Sequence, residues 1–296
     1  LDEDSILYQM GEIFGKYETG EYNKTGLVRD INVQVKRILK VATDYGFDDN
    51  LWHNYLTFFL MMSENPFSMT CEKVGASEGS VNALVQNDFR IFKALFDYDF
   101  GPIEKDLGIS CFSQISDYKA IHKKDLMYNK NVSEKVRALS KKLEAAKDEK
   151  EFFDGITGFY KDYGVGMFGL NKAFRIDEKP EGGIAFRAIN NMDTVMLDDL
   201  VGYEIQKKKL VDNTEAFVQG KKANNVLLFG DSGTGKSTSI KAIVNQYYKD
   251  GLRMIEIYKH QFKYLSTIIA DIKNRNYKFI IYMDDLSFEE FEIEYK

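Results

Sequence analysis

The sequence predicts a mainly helical N-terminal region followed by an α/β domain built on a parallel sheet. Three observations lead to this. Apolar residues recur at helical spacing from Leu1 to about Tyr163. From about Asp193, short apolar runs alternate with amphipathic stretches, the pattern of parallel strands covered on both faces. A glycine-rich turn, Gly230–Ser237, joins one of those runs to the helix that follows it.

In the N-terminal region, residues 1–163, four apolar stripes stand out. The first runs Leu27, Ile31, Val35, Ile38, Leu39, Ala42, and the second Leu51, Trp52, Tyr55, Phe58, Phe59, Met62. The third runs Val81, Leu84, Val85, Phe89, Phe92, Phe96. Val136, Leu139, Leu143 and Ala146 lie on a fourth helix that is expected to continue past Phe152 and Phe153 towards Phe159. Such stripes are the core of a helical bundle, or a docking face for a partner protein.

Residues 164–192 change character. Phe168–Ile176 and Ile184–Ile189 are β-prone, with the Pro/Gly turn Asp177–Gly183 between them. They predict a β-hairpin linking two domains. Gly164-Val-Gly166 does not sit between a strand and a helix, the setting a dinucleotide fingerprint needs.

Residues 193–296 carry the alternating pattern. Asn225–Phe229, Arg253–Ile257 and Phe279–Met283 read as buried strands. Ser237–Tyr248 and Gln261–Asn274 read as helices with Ile240, Ile243, Val244, Tyr247 and Phe262, Leu265, Ile268, Ile269, Ile272 turned inward.

Composition narrows the function classes. With 44% hydrophobic and 14% aromatic residues the chain has material for real cores. A net charge of −6 argues against a general nucleic-acid binder, and no apolar run reaches membrane-spanning length. Cys71 and Cys111, far apart and without metal-ligand spacing, read as buried reduced thiols of a cytoplasmic protein, with a disulfide between them left open. His53, His122 and His260 show no metal or triad spacing, and Lys207–Lys209 and Lys221–Lys222 are short, solvated basic clusters. The start at Leu1 leads to the expectation that the natural N-terminus lies further upstream.

Gly230-Asp231-Ser232-Gly233-Thr234-Gly235-Lys236-Ser237 matches G-x-x-x-x-G-K-[ST] in full, after an apolar run and before a helix. The glycines let successive N–H groups turn inward as an anion nest, at which the next helix points its positive end. Lys236 adds a positive charge for the outer phosphates. The Ser237 hydroxyl suits Mg²⁺, and Thr238 falls beside the inner phosphate. The expected ligand is ATP with Mg²⁺. Downstream, Phe279–Met283 runs into Asp284 and Asp285, a Walker B arrangement. Asp284 would hold Mg²⁺ through its water shell, and Asp285 would orient the attacking water.

These residues resemble the AAA+ branch of the P-loop ATPases. The resemblance also rests on Leu197-Asp-Asp-Leu-Val-Gly202, a lead-in that in AAA+ proteins lays the backbone around Leu200, Val201 and Gly202 against the adenine. Asn213–Phe217, Asn224–Gly230, Gly251–Glu256 and Asp284–Phe288 are similar to a bacterial AAA+-type family of unassigned cellular role, as is Phe168–Phe174. The implied fold class is an α/β P-loop NTPase, an AAA+-like parallel sheet, C-terminally incomplete, preceded by a mainly α-helical N-terminal domain. AAA+ sheets have strand order 5-1-4-3-2, with strand four between the phosphate-loop strand and the Walker B strand. The chain stops at Lys296, so the resemblance implies that strands four and five, sensor, arginine finger and lid lie beyond it. The stretch alone is then expected to turn over little ATP.

Where AAA+ enzymes commonly place Glu, this sequence has Asp285. Three functions therefore stay open. The first is an ATPase driving remodelling of an unknown client, assembled in a homo-oligomeric ring whose neighbour supplies the finger. The second is a nucleotide-sensing interaction module with little hydrolysis. The third, which the lead-in disfavours, is a small-molecule P-loop kinase.

Overall fold

The computed structural model describes residues 2–76, 79–120, 130–190 and 192–284. The side chains of Val81 and Leu84, together with His122, Asp285 and the acidic stretch after it, lie outside the described residues. The chain divides into two compact units, Leu1–Gly166 and Met167–Lys296.

Unit 1 is helical. It contains α1 (Ile6–Thr19), α2 (Lys24–Tyr45), α3 (Leu51–Met62), α4 (Pro66–Val74), α5 (Ser80–Phe96), α6 (Gly101–Leu107), α7 (Cys111–Ser116), α8 (Lys130–Glu144) and α9 (Glu149–Tyr163). The first turns of α1 to α4 are capped by Ser5, Asn23, Asn50 and Asn65, whose side chains accept orphan backbone N–H bonds. The apolar stripes meet in a core around Ile31, Ile38, Leu51, Trp52, Leu56, Phe112, Val136, Leu143 and Phe152. Phe100 and Phe112 stack at 4.2 Å, with Trp52 edge-on to Phe100 at 5.8 Å. The Trp52 indole donates to the Leu95 carbonyl at 2.9 Å. His53 is a core residue whose Nε2 lies 2.8 Å from the Phe96 carbonyl.

The fourth stripe is two helices rather than one. Asp148 starts α9 by accepting the Glu151 N–H at 2.8 Å, and the connection before it ends α8 at Glu144. An N-cap aspartate resets the helix phase, a signal the apolar spacing alone hid. Both cysteines are free, Cys71 buried and Cys111 half-buried. Burial pushes the Cys71 thiol up to about 11, so it is an inert packing group.

Unit 2 begins within α10 (Gly166–Leu170), whose tail occupies the start of the expected first β run. It then forms β1 (Ala173–Glu178), β2 (Ile184–Ala188), a 3₁₀ turn at Leu197–Asp199 and α11 (Glu204–Val218). After the glycine-rich loop come α12 (Lys236–Tyr247), β3 (Leu252–Ile257), a 3₁₀ stretch at Lys259–Tyr264, α13 (Leu265–Ile272) and β4 (Lys278–Met283). The sheet order is β2-β1-β3-β4. β1 and β2 form an antiparallel hairpin, and β1, β3 and β4 are parallel.

Three expectations change. The hairpin does not stand as a linker: β1 pairs with β3 through Ala173↔Met254, Phe174↔Ile255 and Arg175↔Glu256, so it completes the edge of a mixed sheet. Asn225–Phe229 is not a strand. It runs unpaired, with Leu227 73% and Phe229 87% exposed. Apolar content favours a strand only where a neighbour supplies ladder bonds, and no described segment does so here. β4 is half-buried along its whole length rather than buried.

Pleating sorts the sheet residues onto two faces. Phe174, Ile176, Ile255 and Ile257 meet Ile268 and Ile272 of α13. Ala173, Met254, Ile280 and Tyr282 meet Ile240 and Val244 of α12. This second face carries the glycine-rich loop.

Arg253, only 2% exposed, fixes the start of β3. Its guanidinium lies over Tyr248 at 4.2 Å and Tyr277 at 4.4 Å, and it donates to the carbonyls of Phe168, Tyr248 and Leu252. Replacing it strips three buried carbonyls of their donor. Arg253→Met is expected to cost about 2–4 kcal/mol, measured as faster amide exchange in β3 and β4; wild-type protection there would contradict the role.

Candidate nucleotide-binding site

The loop 230–237 adopts a shape that side chains would resist. Gly230, Gly233 and Gly235 have φ of +142°, +80° and +83°. Left-handed glycines alternating with ordinary residues turn consecutive N–H groups to one side, which is how a backbone nest for an anion is built. Gly235 leads directly into α12, and no side chain caps that helix. The positive end of the helix therefore faces the hollow of the loop.

Lys236 and Thr234 hold the loop closed. The Lys236 ammonium donates to the carbonyls of Gly230 and Asp231 at 2.9 and 2.7 Å. The Thr234 hydroxyl donates to the Asp231 carbonyl at 2.9 Å. Asp231, Ser232 and Gly233 are exposed, and Ser237 and Thr238 are half-buried in the first turn of α12.

At the end of β4, Asp284 reaches Ser237. The Ser237 hydroxyl donates to the two carboxylate oxygens at 3.3 and 3.4 Å. Residues 47 apart in sequence thus meet because α12 covers the face on which Tyr282 and Asp284 project. Tyr282, two residues before Asp284 on the same face of β4, packs beside Ile240 and Val244. Burial is the main cause that pushes this phenol up to about 12, helped by the Asp284 carboxylate.

A polar row leads away from this point across the sheet. Arg187, Arg175, Glu256 and Tyr282 are register neighbours on β2, β1, β3 and β4. Arg175 Nε sits 2.7 Å from Glu256, and Arg187 Nε 2.7 Å from Asp177.

The lead-in segment is strapped to α12. Asn245 donates to the carbonyls of Asp193 and Val195 at 2.7 and 2.9 Å, and Lys241 pairs with Asp193 at 2.7 Å. Leu197 and Leu210 pack on Ala242 and Ile243, with Leu200 beside them. Lys207 donates to the Leu200 carbonyl at 2.7 Å. Val201 is 94% exposed, and Gly202 follows with φ of +85°.

The structure therefore brings together the loop, Lys236, Ser237, Asp284 and the helix carrying the lead-in, while Asp285 lies outside the described residues. The sequence reading missed Asp193 and Asn245: nothing local signals these straps, because the partners lie about fifty residues apart.

The donor set fits a hard cation with phosphate. Ser237 and Asp284 offer only oxygens, as Mg²⁺ requires, and leave room for water and phosphate oxygens. Among the described residues no cluster of three or more His, Cys, Asp or Glu could hold a metal unaided. No helix among them is long and apolar enough to cross a membrane.

A small mixed sheet between helices, with a phosphate-type loop leading into α12, is consistent with an α/β NTPase-like fold. The family model described as "Protein of unknown function (DUF815)" matches residues 170–296, less than half of the chain. The chain is also similar to the replication factor C large subunit of Methanococcus vannielii, 40% identical over 58 residues. That match covers 20% of this chain and 12% of the archaeal subunit. No solved structure matches significantly. The two matches suggest a relation to AAA+ ATPases.

The Cβ of an alanine at Gly235 would meet open space, yet φ there is left-handed. The cost is therefore backbone strain of about 1–2 kcal/mol, relieved by reshaping the nest. Gly235→Ala is expected to weaken pyrophosphate binding about tenfold or more, measured by calorimetry. Unchanged affinity would show that the loop amides do not face the anion.

Proposed function

We propose that this chain is the nucleotide-binding portion of an AAA+-type ATPase that takes ATP with Mg²⁺ and couples it to remodelling of a client. The observation that carries the reading is the pairing of a complete, left-handed glycine loop with Ser237 and Asp284 facing each other beside it. In this reading the amides of 230–237 and Lys236 hold the phosphates. Ser237 and Asp284 hold Mg²⁺, Thr238 lies by the inner phosphate, and Leu200–Gly202 lines the adenine. Mg²⁺, when bound, would draw charge from the phosphate oxygens; Asp285 would orient the attacking water and Lys236 would stabilise the charge that develops on the outer phosphate. The partial likeness to a replication factor C subunit supports a ring-type assembly, with a neighbour completing the site. We place the protein in the cytoplasm.

Calorimetry of the full-length protein with Mg²⁺ and ATP tests the reading. Lys236→Ala is expected to lower affinity at least about a hundredfold. Equal affinity for variant and wild type would remove the basis of the proposal.

A second reading, a nucleotide sensor that hydrolyses little, is favoured by Asp285 standing where Glu is common. The shorter arm draws the carboxylate back from an attacking water. Steady-state turnover separates the two. For a working ATPase, Asp285→Asn is expected to cut kcat about a hundredfold or more with ATP affinity kept; for a sensor, both proteins turn over equally slowly.

A further inference from the structure

The turn that leads into α11 is strained, and packing does not hold it. Gly202 and Tyr203 are both left-handed, with φ of +85° and +57°. A tyrosine rarely takes that conformation, and the residue that opens a helix ordinarily has extended backbone. Val201 and Tyr203 are both exposed. Strain of this kind persists where other contacts over-determine it, and it collects at ligand sites.

Lys207 supplies those contacts. From the first turn of α11 its side chain runs back past the start of the helix, the direction long helical side chains favour. The ammonium donates to the Leu200 carbonyl at 2.7 Å and pairs with Glu204 at 2.8 Å. The Lys207 backbone N–H donates to the Tyr203 carbonyl at 2.8 Å. One residue thus clamps the turn at both ends.

The clamp fixes a direction. In a trans peptide the N–H points opposite to the carbonyl before it, and no peptide bond among the described residues is cis. With the Leu200 carbonyl turned onto Lys207, the Val201 N–H faces away from that side chain. Among the described residues it makes no hydrogen bond. Leu200 packs against the cluster that holds Ala242 and Ile243 of α12. Those two stand about 9–11 Å along the helix from Lys236, a span that an extended nucleoside triphosphate bridges between base and outer phosphates.

We propose that Lys207 is a positioning residue for the nucleobase: by holding the Leu200 carbonyl, it presents the Val201 N–H as a donor to a ring nitrogen of adenine. This rests on the nucleotide reading above. Removing the ammonium while keeping the aliphatic stem tests it. Lys207→Met leaves the apolar packing in place, so its circular dichroism is expected to overlay the wild type.

Affinities for ATP and for tripolyphosphate, which lacks base and sugar, are measured by calorimetry with Mg²⁺, and their ratio is the readout. Wild type is expected to favour ATP. Lys207→Met is expected to lose about fivefold to tenfold of that preference, with tripolyphosphate affinity unchanged within about twofold. Glu204→Gln, which breaks the ion pair but spares the carbonyl bond, is expected to keep the wild-type ratio within about twofold. Three results overturn the role of Lys207 while leaving phosphate binding intact: an unchanged ratio in Lys207→Met, an equal loss for both ligands, or a Glu204→Gln loss as large as that of Lys207→Met. A wild type that binds neither ligand overturns the underlying reading as well.

Discussion

The account depends on one backbone constraint: between Gly230 and Gly235 the chain must hold left-handed turns that bring its N–H groups to a common point. Each such turn costs a side-chain-bearing residue about 1–2 kcal/mol, and glycine carries no such penalty. The price is flexibility, so the surrounding structure has to supply the rigidity the glycines lack. Lys236 and Thr234 close the loop onto its own carbonyls. α12 continues it as a helix whose inner face is buried against β3 and β4.

The rest of unit 2 reads as support for that helix. On one flank the lead-in is tied down by Asn245 and Lys241, and Leu200 packs beside the helix into which the loop leads. On the other flank β4 delivers Asp284 to Ser237. β3 in turn is pinned by the buried Arg253 and paired on its far side with the hairpin. Charges on the same face are neutralised in pairs, Arg175 with Glu256 and Arg187 with Asp177. These pairs are partly exposed and add little stability. Their effect is local: Glu256 and Asp177 are each matched by a cation.

The loop was legible in the sequence because its requirements are local: glycines at fixed offsets, a lysine, a hydroxyl, then a helix. Asp284 was legible because the end of an apolar strand has a predictable place in such a sheet. What the sequence hid were properties of neighbours. Asn225–Phe229 is as apolar as a strand, but pairing depends on a partner that its own residues do not name. The hairpin was visible as a hairpin, yet only the register Phe174↔Ile255 makes it part of the sheet. The break between α8 and α9 was written in Asp148, a capping residue outweighed by the apolar periodicity around it.

Amide hydrogen exchange across residues 230–238 of the full-length protein, with and without Mg²⁺ and ATP, tests the central claim most directly. The account predicts that these amides, open to exchange in the free protein, become strongly protected when nucleotide binds, because they are its ligands. Nucleotide binding that leaves them exchanging freely, and protects some other segment instead, would contradict it.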